Sequence, residues 1–276
     1  MFRRVLLVVC LGALLATMAV ATTGCASGSG LMAMLAKVPA DTVSLKYVNV
    51  KALRNDADLE DLYDAWKERV QSRLQNRGIS PSEVNIFASN EALSKRFTLL
   101  TGTFDLDEVR DELEDRHYEK DDYRGVEVWI REAGWASDLE NQVALMGDLI
   151  IMGDESGVEA CIKVIKAGGD SWLSKVDIND VANRLPGGIY VEMAKEWTSI
   201  LASGFEAYGI SAKKQDSETL KIAGVAKFND EDDADDAVDT IEDIMDQRFD
   251  GAQVTQEGLF LKATARIDID DAKGLF

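Results

Sequence analysis

Residues 143–154 read VALMGDLIIMGD, two apolar runs joined by Gly147-Asp148. A two-residue join turns the second run straight back along the first, so the segment is an antiparallel hairpin. Further alternating segments read as strands with one apolar face each: Val43, Leu45 and Tyr47 in DTVSLKYVNV, and Val126, Val128 and Ile130 in GVEVWI. RFTLLTGTF, TLKIAGVAKF and EGLFLKATARID are also strands, and VNIFA is a short one. Hairpins and one-sided strands argue for a mostly antiparallel sheet and against a buried, all-parallel one.

Between the strands the apolar period changes to that of a helix. Leu59, Leu62, Tyr63, Trp66, Val70 and Leu74 form one stripe that stops near Gly78. DLDEVRDELEDRH carries Leu106, Val109 and Leu113, with Asp105 and Glu108 at capping-box spacing. Asp154 precedes a helix bearing Val158, Cys161, Ile162 and Ile165, ended by Gly168-Gly169. A further helix is expected through Trp197, Ile200, Leu201, Phe205 and Tyr208. The last is expected through Ala234, Ala237, Val238, Ile241, Met245 and Phe249. Trp66 and Trp197 are read as core.

The second half echoes the first. LPGGIYVEMAKEW follows the pattern of VPADTVSLKYVNV, TLKIAGVAKF that of RFTLLTGTF, and EGLFLKATARID that of RGVEVWIRE. The expectation is an α+β fold of two related units, mostly antiparallel sheet with amphipathic helices packed on one face. Their expected bounds are residues 37–184, with the hairpin and its helix as an addition, and residues 185–276.

A formal net charge of −20 repels phosphate backbones and excludes nucleic acid as a partner. Motifs for nucleotides, zinc and serine hydrolysis are all missing, and no cofactor or metal site is expected. His117, the single histidine, falls at a helix end as a surface residue. Cys161 lies on an apolar stripe and reads as a core thiol. NDEDDADDAVD lacks the glycine and the fifth-position ligand of a calcium loop, so Asp230–Asp233 read as the acidic first turn of a helix. Trp129, at the phase opposite to Val126 and Val128, and Trp135, in a loop, are the candidates for an exposed contact surface. No catalytic residue is nominated.

The first 24 residues set the address. MFRR is a basic start, VLLVVCLGALLATMAVA an apolar stretch of secretory length, and Thr22-Thr23-Gly24-Cys25 a small-residue box ending in cysteine. This order resembles a bacterial lipoprotein signal, with Thr22 where that family more often has leucine. The resemblance implies cleavage after Gly24 and a diacylglycerol on Cys25, with residues 25–36 a short, initially flexible tether. Cys10 would leave with the leader, and Cys161 alone would remain as a thiol. The opening Val38-Pro39-Ala40-Asp41-Thr42 resembles that of uncharacterised secreted bacterial proteins, which implies no activity.

The expected protein is a lipid-anchored domain on the extracytoplasmic side of a cell membrane or outer membrane. It would bind a protein or small-molecule partner without catalysis. An envelope hydrolase using paired carboxylates and a structural or assembly factor are the alternatives.

Overall fold

The computed structural model describes residues 25–91, 95–132, 140–195, 205–247 and 249–276. Its strands are β1 Ser44–Val48, β2 Val84–Asn90, β3 Phe97–Gly102, β4 Glu119–Tyr123, β5 Val126–Ile130 and β6 Gln142–Met146. They continue with β7 Leu149–Gly153, β8 Tyr190–Lys195, β9 Phe205–Lys214, β10 Thr219–Phe228, β11 Asp250–Glu257 and β12 Phe260–Asp268. The helices are α1 Cys25–Leu35, α2 Val50–Asn55, α3 Glu60–Gln75, α4 Leu106–Asp115, α5 Glu155–Ala167, α6 Val176–Arg184 and α7 Glu231–Asp246.

All twelve strands belong to one antiparallel sheet in the order β11-β12-β10-β9-β8-β1-β2-β3-β7-β6-β5-β4. The hairpin expected at Gly147-Asp148 is present, with Met146 opposite Leu149. The fold is α+β. The helices do not keep to one face, which corrects the expectation. On one face Trp66 and Leu74 of α3 and Val109 and Leu113 of α4 pack with Val48, Leu100, Ile150 and Tyr190. On the other, Leu31 and Leu35 of α1, Cys161 of α5 and Val181 of α6 pack with Tyr47, Leu99, Ile151 and Met193. Residues 97–100, 142–145 and 149–153 are therefore buried without interruption. Unbroken burial of this kind belongs to strands covered on both sides.

The α3 stripe packs as its spacing requires, and Gly78 closes the helix in the left-handed region at φ 67°. A Cβ there would lie 2.8 Å from the Glu108 carbonyl, so α4 also needs a glycine at this position. Asp105 caps α4 by accepting from the N–H groups of Asp107 and Glu108. The return half of the expected capping box comes from elsewhere. Glu83 Oε1 accepts from the Asp105 N–H at 3.0 Å while its Oε2 accepts from Ser80 at 2.8 Å. Asp154 caps α5 through the Gly157 N–H and also takes the Arg96 N–H, tying β3 to β7 and α5.

Two further expectations change. The helix through Phe205 and Tyr208 is strand β9, paired with β8 and β10; Trp197, Ile200 and Leu201 lie outside the described residues. Between Phe205 and Lys213, one face of β9 carries Ala207, Gly209 and Ser211, and Leu185 and Val181 lie directly over Gly209. Small residues give an alternating pattern no amplitude, which is why the strand was hidden. Of the expected tether, Cys25–Leu35 is helix α1, and Leu31, Met34 and Leu35 are buried, so the tether merges into the core after Gly30. Glycine at 30 lets the helix approach the Tyr47 hydroxyl, 3.0 Å from where a Cβ would stand. The two expected units, residues 37–184 and 185–276, contribute to one sheet and to both of its cores. β1 and β8 join them through five residue pairs from Ser44–Ala194 to Val48–Tyr190. That seam is filled by paired backbone and covered on each face, by Leu45 and Met193 on one and by Val48 and Tyr190 on the other.

Candidate functional site

Many charged side chains among the described residues are engaged in structural pairs. Trp129 is not at the surface. It is 2% exposed, its Nε1 donates to Glu127 Oε1 at 2.9 Å, and it lies in the core beneath α4. Its phase reads as outward only if one sheet face is solvated; with both faces covered, either phase is interior. Trp135 lies outside the described residues.

Glu127 organises this corner. Arg110 of α4 reaches it at 2.9 Å and 3.3 Å, and Lys120 of β4 at 3.4 Å. The Arg110 hydrogen bonds first, helped by the Trp129 indole and the Lys120 charge, hold its carboxyl down to about 2. A depressed acid stabilises the fold above its ordinary value near 4.5, and that contribution is lost as pH falls through about 2. Glu127→Gln should therefore cost about 1–2 kcal/mol at pH 7 by urea denaturation, with the deficit shrinking below pH ~4. A deficit unchanged by acid would show that the charge contributes nothing.

His117 is exposed in the left-handed region at the end of α4, as a surface histidine. Cys161 is 0% exposed, and burial pushes its thiol well up, so it is the inert core thiol expected. Asp230 accepts from the Asp233 N–H at 2.8 Å, and the acids after it form the first turn of α7. No group of three or more His, Cys, Asp or Glu among the described residues is placed to hold a metal. A shallow, open hollow of about 580 Å³ is lined by Glu83 and residues 103–107. Glu83 and Asp105 there are both occupied as helix and turn caps.

Other charges also meet partners. Arg73 pairs with Glu140 and reaches Thr98, while Arg77 donates to the Glu140 carbonyl at 2.9 Å. Lys214 spans Asp56 and Asp58. Lys227 lies among Asp177, Asp180 and Glu206. Sequence reading missed these clusters because each cation lies 21 to 158 residues from the groups it meets, and such pairs carry no local spacing.

Two further features lie at margins of the fold. The first is the start of α1. Gly30 sits against Tyr47 and Ile86, and Val38 accepts from Trp172 beside the first residues of β1, so α1 climbs one sheet face with Cys25 at its lower end. No helix among the described residues is long and apolar enough to cross a membrane. The second is the outer edge of β11, which ends the sheet beside α7.

No family model matches the chain. An uncharacterised protein of Methanocaldococcus jannaschii, MJ0635, is 20% identical over 212 residues, which is 72% of this chain and 70% of that one. Solved structures of TP0453 share the fold. Crystal form III aligns with a TM-score of 0.56 at 10% identity, covering 87% of this chain and 96% of that one. Crystal form I aligns at 0.54 and 11% identity, covering 87% and 95%. At these identities the likeness is one of fold alone.

Proposed function

We propose that the chain is a lipid-anchored envelope protein, acylated at Cys25, whose α+β domain binds a protein or small-molecule partner without catalysis. The observation that carries this reading is the order of basic start, apolar run and Thr22-Thr23-Gly24-Cys25 immediately before a helix whose residue 31 is already core. Six helical residues rise about 9 Å, so such an anchor holds the domain against the bilayer surface. Each buried CH₂ of an acyl chain contributes about 0.8 kcal/mol, and two or three chains suffice for stable attachment.

In this reading the domain consists of two related units that meet at β1 and β8. From the seam outward, β1-β2-β3 matches β8-β9-β10, then α4 matches α7, and the β5–β4 pair matches the β12–β11 pair. The β6–β7 hairpin is the insertion in the first unit. The units differ most between their first two strands, where residues 49–83 have residues 196–204 as their counterpart.

The test is chemical labelling of the full chain in a diderm bacterium. Wild type should incorporate labelled palmitate, fractionate with membranes, and accumulate as a precursor under the signal-peptidase inhibitor globomycin. Cys25→Ser should lose the label. Wild-type processing that ignores globomycin, or a cleaved Cys25→Ser chain that still fractionates with membranes, would overturn the anchor.

A further inference from the structure

The two ends of the sheet are built differently. β4, at one end, is five residues long and carries Glu119, Lys120, Asp121 and Asp122, all exposed. A dense row of exposed charges on a short edge is how a sheet discourages another strand from pairing with it. β11, at the other end, is eight residues long. Between Asp250 and Glu257 it reads GAQVTQ, without a charge or a proline. A register shift between Asp250 and Gln253 bends its start, and Gln253 to Glu257 then pair regularly with Thr264 to Phe260. Along that stretch alternate backbone N–H and C=O groups face outward, with no thirteenth strand among the described residues.

Beside this open edge runs α7. Ala234, Ala237, Val238 and Ile241 hold it on the sheet against Phe228 and Leu261. Gln256 fastens the strand to the helix by donating to the Glu231 carbonyl at 3.0 Å. The Glu231 side chain lies near Gly258 in the β11–β12 turn, which marks the helix flank facing β11. Asp235, Glu242 and Asp246 follow Glu231 at i+4, i+11 and i+15, on that same flank, and all are exposed. α7 contains no basic residue. The result is a strand edge offering backbone hydrogen bonds next to a wall of carboxylates.

We propose that this edge accepts an extended cationic peptide segment of a partner protein as an added strand. Backbone pairing to β11 supplies the register, and Lys or Arg at every second position meets the α7 flank. A second copy of the chain does not fit. Antiparallel self-pairing sets Asp250 against Glu257 at both ends, parallel pairing sets each against itself, and a charge of −20 repels another copy at longer range. The inference rests on the reading of the domain as a partner-binding module and is independent of acylation at Cys25.

The test uses the full chain in neutral detergent micelles and a fluorescein-labelled seven-residue peptide with Arg at alternate positions and Thr or Val between. Three ion pairs of ordinary surface strength make Asp235→Lys, Glu242→Lys and Asp246→Lys together weaken binding about tenfold. Methylating alternate peptide nitrogens on the pairing side leaves the charge intact and should also weaken binding about tenfold. Asp121→Lys with Asp122→Lys, on the far edge, should change nothing, and circular dichroism checks that each variant is folded. No binding by wild type, equal binding of the methylated peptide, or a folded triple variant that binds as wild type would each overturn the proposal. Peptide binding lost in a chain still acylated at Cys25 would overturn this inference and leave the anchor standing. Binding retained in a chain that is never acylated would do the reverse.

Discussion

Trp66→Ala should destabilise the domain by about 3–5 kcal/mol in equilibrium urea denaturation. Trp66 is 2% exposed and sits at the middle of α3. Its ring stacks on Tyr63 at 5.9 Å and meets Phe87 of β2 edge-on at 6.0 Å, so its removal opens a void between helix and sheet. Its neighbours cannot close that void, because α3 is held at both ends by groups that do not move with the tryptophan. Gly78 abuts α4 at one end, and near the other Lys273 pairs with Asp61. Among the described residues nothing accepts from the buried indole Nε1, so Trp66→Phe loses volume but no hydrogen bond and should cost markedly less than alanine. Native stabilities are about 5–15 kcal/mol, so the alanine variant should also melt many degrees lower. A loss below ~1 kcal/mol would mean that this core is not packed as described.

The α3 stripe was legible because six apolar residues recur on one side of a helix long enough to average out exceptions. The hairpin at Gly147-Asp148 and the cap at Asp154 were legible because their geometry is local. What the sequence hid is non-local. β9 carries small residues where α6 presses on it. β4 reads as a run of charges because it is an edge, and GAQVTQ in β11 becomes a strand only through its pairing with β12. Whether one sheet face or both are covered depends on where the connections run. The uninterrupted LIIMG of β7 was the available sign of a two-sided sheet, and it outweighs the alternation in β1 and β5. Trp129 was misplaced for that reason alone. The acylation proposed at Cys25 stands on the other side of this divide, since a box of this kind would be read as linear sequence before any fold exists. The β11 edge, which requires twelve strands to be in order before it is an edge at all, had no linear signature.

Lys227→Met should cost about 2–3 kcal/mol at pH 7, and the cost should depend on pH in a defined way. The lysine side chain is 11% exposed and its ammonium meets Asp177, Glu206 at 3.0 Å and Asp180 at 3.5 Å. Methionine preserves most of the stem, so packing on β10 survives while three carboxylates lose their common cation. Breaking a fully buried pair costs about 3–5 kcal/mol. The smaller figure here reflects acids exposed by 33–41%, which water partly rehydrates. Burial opposes the charge on Lys227, yet the hydrogen bonds it donates to Asp177 and Glu206 win and raise its pKa, so its contribution is complete below the ordinary lysine value near 10.5 and lost only above the raised one. The Lys227 hydrogen bond lowers Asp177, so that contribution is complete above about pH 4 and lost as pH falls through its depressed value. The difference between wild type and variant should accordingly be flat from about pH 5 to 9 and shrink below pH ~4, where protonation also relieves the unpaired acids of the variant. Asp177→Asn added to Lys227→Met should recover part of the loss by removing one of the repelling charges. A double variant no more stable than Lys227→Met, or a deficit that grows in acid, would show that the cluster holds α6 to the sheet by packing and not by charge.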